Sequence, residues 1–105
     1  MSDTLDLAES LLERTDSATS GLWPRAAAVL GRQALEEEMK RILGEDLAAC
    51  SARAQLLLLP EEVGRERAGQ LAFVYAALSQ ACHYHPYQLA PTHAELRSWL
   101  AIIRG

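Results

Sequence analysis

The chain has 105 residues, of which 50% are hydrophobic and 23% are charged, a composition that excludes a disordered chain and fits one domain over residues 1–105. Its formal net charge of −4, from 14 acidic and 10 basic residues, gives no electrostatic basis for binding duplex DNA or an anionic membrane. Alanine and leucine contribute 18 residues each and only 6% of the residues are aromatic, which favours helix over strand. We therefore expect a small, acidic, all-α protein.

We expect a chain that is neither secreted nor inserted in a membrane. Residues 1–6 are acidic and do not form the basic and apolar regions of a signal peptide. The run of four leucines at residues 56–59 is too short to cross a bilayer and is followed directly by Pro60. The sequence therefore predicts a cytoplasmic protein in which Cys50 and Cys82 are reduced thiols.

Two amphipathic helices are predicted in the first half of the chain. Apolar residues at helical spacing predict the first helix over residues 4–20. The second helix begins at Trp23 and Pro24, because proline is tolerated at the first helical position, and its apolar stripe lasts until Gly44. Gly31 lies inside this helix at a cost of about 1 kcal/mol relative to alanine. We therefore expect another helix to approach closely at Gly31.

Three more helices are predicted in the second half. The third runs from a cap at Asp46 to Pro60, and residues 60–64 form a polar connection. The fourth has an apolar stripe at steps of three and four residues and ends near residues 83–85, ahead of Pro86. The residues of this stripe are Leu71, Val74, Tyr75, Leu78 and Cys82.

The last helix is preceded by a capping-box pattern. Thr92 and Glu95 have the spacing in which the threonine side chain bonds forward and the glutamate reaches back. The helix then continues through Ile103. Short connections between these segments predict a compact up-and-down bundle of four to five helices.

The densest group of candidate metal ligands lies at the end of the fourth helix. It contains Cys82, His83, His85 and His93, including all three histidines of the chain. Thiolate and imidazole ligands suit zinc, so these four residues are a candidate zinc site. In the alternative interpretation no cofactor binds, Cys82 faces the core, His83 and His85 cap the last carbonyl groups of the helix, and His93 is exposed.

Four aromatic residues lie beside predicted helix ends and are candidates for binding a partner. Tyrosine and tryptophan are enriched among the anchors of protein interfaces, although packing over the core is the alternative role. These residues are Trp23, Tyr84, Tyr87 and Trp99.

Two arginines on the second helix are candidates for contacting phosphate. Arg25 and Arg32 are seven residues apart and share one helix face, which keeps RNA as an alternative ligand. Ion pairing in solvent is the other interpretation of the same residues.

Two stretches resemble known proteins. Residues 27–36 follow the pattern A-x-x-L-x-R-x-A-L-E within an alanine-rich helix that resembles the helix beginning the small bundle of HEPN-domain proteins. Residues 78–92 resemble a segment of small actinobacterial proteins of unknown role, which indicates a bacterial source. The HEPN resemblance implies a helical bundle that often pairs as a dimer, in a family of RNA-cleaving toxins and nonenzymatic partners.

One departure from that family bears on catalysis. Active members carry an arginine followed, after four to six residues, by a histidine. No arginine stands at the matching positions ahead of His83, His85 or His93. The resemblance therefore carries over no RNA-cleaving residues to this chain.

The sequence leads to two functional hypotheses. The first is a non-catalytic, HEPN-like regulatory or accessory interaction protein that acts as a homodimer or with a protein partner. Because so short a chain has little interior, a second copy would complete the apolar stripe of the second or the fourth helix. The second hypothesis is a metal-, nucleotide- or RNA-binding protein, as a binding factor or an enzyme, that uses the group from Cys82 to His93.

Overall fold

The part of the protein that the structure describes folds into α-helices. The computed structural model describes residues 3–13, 23–83 and 90–105, and this part of the chain contains six helices and no strand. The helices are α1 (Asp3–Glu13), α2 (Trp23–Leu43), α3 (Glu45–Ala48), α4 (Ala52–Val63), α5 (Arg65–Cys82) and α6 (His93–Arg104). The predicted all-α fold is confirmed. The count exceeds the predicted four to five helices because α3 is a separate single turn.

Helix α2 is the centre of the bundle and contacts each of the other five helices. Its apolar face, with those of α1, α5 and α6, forms one core. The largest fully buried side chains are Leu35, Met39, Leu59, Leu71, Leu78, Leu96, Leu100 and Val74. The apolar stripe of the predicted fourth helix, which is α5 in the structure, therefore lies in the core. For the fourth helix, the expectation that a second copy completes the stripe is wrong, because the chain's own helices cover it. For the second helix, the same expectation stays a prediction.

The predicted close approach at Gly31 is confirmed. A Cβ atom added at this glycine would lie 2.8 Å from Leu100 Cδ2 and 3.4 Å from Leu78 Cδ1. Leu100 belongs to α6 and Leu78 to α5, so both helices meet α2 where it has no side chain. A glycine is retained here, despite its low helix propensity, because it lets three helices pack at one point.

The predicted third helix is wrong in its boundaries. In place of one helix from Asp46, the chain forms α3 and then breaks before Ser51, whose Oγ accepts a hydrogen bond of 3.2 Å from the backbone N–H of Ala54. Gln55, only 5% exposed, donates from Nε2 to the carbonyl oxygens of Ala48 at 3.3 Å and Cys50 at 2.8 Å. These two bonds stabilise the break, because they satisfy carbonyl groups that the interrupted helix leaves without partners.

The predicted stop at Pro60 is also wrong. Helix α4 continues through Pro60 to Val63 and ends at Gly64, which has a φ of +88°. Proline removes one intrahelical hydrogen bond, but its side chain here is exposed and displaces no packed neighbour. The extra turn places Val63 one turn after Leu59 on the face that packs against the core. The predicted connection over residues 60–64 thus shrinks to Gly64.

The ends of α5 and α6 agree with the prediction. Helix α5 ends at Cys82. At the start of α6, the backbone N–H of Glu95 donates to Thr92 Oγ1 at 3.0 Å, and the N–H of Thr92 donates to Glu95 Oε1 at 2.9 Å, which confirms the capping box. The remainder of the predicted first helix, residues 14–20, and the loop at Pro86 lie outside the described residues.

The carboxyl end of α6 is tied to two other helices. Arg67 of α5 donates to the carbonyl oxygen of Ile103 at 3.2 Å, and Arg104 pairs with Asp6 at 2.7 Å and with Glu9 of α1. These bonds hold the carboxyl end of α6 beside α5 and α1, and the cap at Thr92 defines the amino end of α6. None of the helices in the described ranges is long and apolar enough to cross a membrane.

Replacing Gly31 tests the close approach of the three helices. We expect Gly31→Ala to lower the free energy of unfolding by about 1 kcal/mol, because an overpacking cost of roughly 1–3 kcal/mol exceeds the gain in helix propensity of about 1 kcal/mol. Gly69 is the matched control, since it is also helical but has no heavy atom within 4 Å of an added Cβ. Gly69→Ala should raise the free energy of unfolding by roughly 0.5–1 kcal/mol. Urea denaturation measures both, and equal effects would contradict the packing at Gly31.

Candidate functional site

The outward face of α5 has no charged side chain over residues 68–82. Gly69, Phe73, Ala76 and Gln80 recur along it at steps of three and four residues and are all exposed. Phe73 is the largest of them and has 62% of its surface exposed. Each described helix carries an exposed carboxylate, and that of α5, Glu66, lies in its first turn, before the charge-free residues. We call the exposed face of α5 over residues 69–80 the neutral strip, because its side chains carry no charge.

A groove with a volume of ≈ 630 Å³ lies beside the neutral strip, between α5 and α6. Its lining residues are Phe73, Ala76, Ala77, Gln80 and Ala81 from α5, with Ala90, Pro91, Thr92, Glu95 and Trp99 from α6 and the segment before it. Trp99 is half-buried and packs against the core, so its indole forms a fixed wall. Small alanine side chains on α5 leave the space open. The result is a mainly apolar groove whose single ionisable lining residue among those described is Glu95.

A polar contact lies on a different side of α5, against α2. Tyr75 Oη donates a hydrogen bond of 3.2 Å to Glu36 Oε2. Burial, together with the neighbouring Glu36 carboxylate, raises the pKa of the Tyr75 phenol above its usual value, while the charge of Arg32 acts in the opposite direction. This phenol is therefore held protonated, and the contact joins the two central helices.

The candidate metal ligands differ in how far they are buried. Cys82 is buried, and burial raises the pKa of its thiol, against the opposing influence of Arg32 and Arg25. His83 is exposed and caps α5 through its backbone N–H, which donates to the carbonyl oxygen of Gln80 at 3.1 Å. A thiol ligates metal as thiolate, so the buried Cys82 is in the unfavourable protonation state.

The histidine of α6 faces the first helix. His93 is half-buried, with Nε2 in hydrogen-bond contact with the carbonyl oxygen of Leu12, so the alternative in which His93 is exposed is wrong. His85 lies outside the described residues. Among the residues that the structure describes, no group of three or more His, Cys, Asp and Glu side chains is placed to hold a metal ion. The zinc site that includes His85 stays a prediction.

Of the candidate partner-binding aromatic residues, too, only some lie in the described part of the chain. Trp99 lines the groove between α5 and α6. Tyr84, Tyr87 and the side chain of Trp23 lie outside the described part of the chain. The sequence analysis did not identify Phe73, which is more exposed than Trp99. A signal was available: residues 68–82 form a run without charge, in which Phe73 falls opposite the apolar stripe.

Comparisons of the chain with protein-family models, with curated proteins and with solved structures found no match. The resemblance to HEPN proteins therefore stays a prediction.

The two cysteines should differ in reactivity. In the native protein at ~pH 8 we expect Ellman's reagent to modify Cys50 rapidly, because it is exposed, and to reach Cys82 only after unfolding, because burial raises the pKa of that thiol. The amplitude of the fast phase measures this, and it should be lost in Cys50→Ser but kept in Cys82→Ser. Two fast thiols per chain would show that Cys82 is accessible to solvent and to metal.

The contact between Tyr75 and Glu36 should appear in the pH dependence of stability. Tyr75→Phe should lower the free energy of unfolding by about 0.5–1.5 kcal/mol at neutral pH through loss of the hydrogen bond. Because the folded-state pKa of Tyr75 is raised, its contribution is complete below the unfolded pKa of about 10 and falls as the pH rises through the folded value. Urea denaturation of both proteins should show the difference narrowing above ~pH 10. Parallel stability curves would contradict the raised pKa.

Proposed function

We propose that the protein is a non-catalytic interaction protein with a HEPN-like bundle, acting in a regulatory or accessory role, and that it binds a helix of its partner in the groove between α5 and α6. The observation that carries this proposal is the exposure of Phe73 on a charge-free helix face, directly beside an apolar groove. A large exposed apolar side chain at the edge of an apolar groove is a feature of binding sites.

The shape of the groove supports a helical occupant. Two packed helices lie about 8–10 Å apart, and the hollow between them accepts the ridge of side chains on a third helix. Here the small side chains of Ala77 and Ala81 line the groove on α5, and the large side chain of Trp99 lines it on α6. Apolar side chains spaced three and four residues apart on the partner helix would fill the groove. Each would contribute a favourable free energy of about 25 cal/mol per Å² of apolar surface removed from water.

The state of the polar side chains favours binding over catalysis. Tyr75 is hydrogen-bonded to Glu36, the Cys82 thiol is buried with a raised pKa, and His93 contacts a backbone carbonyl. A nucleophile or general base needs a second group in reach and a pKa close to the working pH. The pairing of arginine and histidine that cleaves RNA in active HEPN proteins has no counterpart in the sequence.

Site-specific photocrosslinking in the cells that produce the protein tests this proposal. A benzoylphenylalanine at position 73 keeps an aromatic ring in place, and we expect it to give a discrete covalent adduct of defined mass. The matched control is position 57 on α4, where Leu57 is 75% exposed but lies outside the neutral strip. An adduct at position 57 alone, or none at either position, would refute docking at the groove.

A further inference from the structure

We propose that a pocket between α2 and the break that separates α3 from α4 binds the primary ammonium group of a small aliphatic amine, with Gln55 Oε1 and the carboxylates of Glu36 and Glu37 as acceptors. The pocket has a volume of ≈ 330 Å³, and its lining includes Ala48 and Cys50 besides these three residues. This volume is at the lower end of the range for ligand sites, which fits a small ligand. Among the described residues, the pocket shares no lining side chain with the groove between α5 and α6.

The side-chain amide of Gln55 has one bonded end and one unpartnered end. Gln55 is only 5% exposed, and its Nε2 donates to the carbonyl oxygens of Ala48 and Cys50. These two acceptors determine the orientation of the amide, because the opposite orientation would place oxygen against oxygen. Gln55 Oε1 is buried and has no hydrogen-bond partner among the described residues. A buried acceptor without a partner costs free energy, so a ligand that donates a hydrogen bond to Oε1 removes that cost.

The charges around the pocket favour a cation. The charged side chains among its described lining residues are Glu36, Glu37 and Lys40, so negative charge is in excess. Glu36 Oε2 accepts a hydrogen bond from Tyr75. Glu37 Oε2 accepts one from Thr4 at 3.0 Å. A carboxylate has about four acceptor positions, so a carboxylate that accepts one such bond can also accept an N–H of a ligand. Hydrogen bonds from a cation to a carboxylate are roughly twice as strong as those between neutral groups.

An ammonium group suits these acceptors better than a bare metal ion. An alkylammonium has three N–H donors and no acceptor, and it can donate to acceptors that lie apart from one another. A metal ion needs several ligand atoms that converge at short distances. No group of three or more His, Cys, Asp and Glu side chains in the described ranges, Glu36, Glu37 and Cys50 included, is placed in that way. The donor set therefore indicates an amine.

NMR titration of the ¹⁵N-labelled full-length chain with 1,4-diaminobutane tests the site. We expect the side-chain amide signals of Gln55, and the backbone amide signals around it, to shift saturably because Oε1 gains a donor. Two control ligands separate the contributions. 1,4-Butanediol has the same length without charge, and the fully N-methylated diamine keeps the charge but has no N–H donor. Neither should saturate these signals at a concentration about tenfold higher, since each lacks the charge-assisted hydrogen bond.

Cys50 gives a second readout, because its exposed thiol lies at the same pocket. In a mixture of cystamine and bis(2-hydroxyethyl) disulfide, the Cys50 thiolate attacks one sulfur of a reagent, the S–S bond of that reagent breaks and a small thiolate leaves. We expect the cysteamine adduct to exceed the mercaptoethanol adduct roughly fivefold or more at equilibrium, because its ammonium group reaches the acceptors. Leu57→Cys in a Cys50→Ser chain is the matched control. Position 57 is exposed between Arg53 and Glu61, which carry opposite charges, and should show no preference.

Two substitutions should change the affinity for the diamine in opposite directions. Gln55→Met removes the buried acceptor and should raise the dissociation constant roughly tenfold. Because this variant also loses the bonds to Ala48 and Cys50, circular dichroism must show native helix content. Lys40→Gln leaves those bonds intact at an exposed position and should lower the dissociation constant about two- to fivefold, because a charge of the same sign as the ligand is removed. A pocket that is merely destabilised would not bind more tightly.

Each result either supports or overturns the inference. The absence of a saturable shift with the diamine, or an equal response to its N-methylated analogue, overturns it. Equal adduct ratios at Cys50 and at Leu57→Cys, or unchanged affinity in a folded Gln55→Met chain, also contradict it. If Gln55→Met does not fold, the ligand series and Lys40→Gln decide the question. None of these outcomes bears on the groove between α5 and α6, which photocrosslinking at position 73 tests separately.

Discussion

The arrangement of the bundle depends on the point where α2 has no side chain. At Gly31 the backbone of α2 is approached by Leu78 of α5 and Leu100 of α6, both fully buried or nearly so. This contact lets both helices lie close to α2 at the same point. The groove that we propose as a binding site is the outer side of the same α5–α6 pair. Packing at a residue in the core thus helps to position the two helices that line the groove.

The two faces of α5 show how one helix serves both core and surface. Leu71, Val74 and Leu78 are fully buried by α2, α4 and α6, so the apolar stripe is used within the chain. A surface helix normally carries charge on its other face. Here that face carries alanine, glycine, glutamine and Phe73 instead. The hydrophobic effect of folding accounts for the buried face only, and the composition of the outer face requires a second explanation. The contact with another protein that we propose would supply that explanation.

Local signals in the sequence predicted much of the fold, and tertiary contacts account for what they missed. Helix α2 and the capping box at Thr92 are encoded by neighbouring residues, and Gly31 indicated a close approach without identifying the helices involved. The break before Ser51 was missed because Gln55, a residue beyond it, satisfies the freed carbonyls. Pro60 was overinterpreted because a proline does not always end a helix, and here the residues after it form one more turn that packs Val63 against the core.

The candidate site was predicted less well than the fold, because the search followed reactive residue types. The candidate residues were chosen among cysteines, histidines and aromatic residues, yet Cys82 is buried. Tyr75, which the sequence assigned only to the apolar stripe, is hydrogen-bonded to Glu36. Phe73 carries no reactive group and became informative only when its exposure was known. An interaction surface differs in this respect from a catalytic site, because it is defined by the groups that water still contacts after folding. In a small acidic protein, an exposed helix face without charge departs from the charged outer face of an ordinary surface helix, and the sequence pattern therefore makes it a candidate interaction surface.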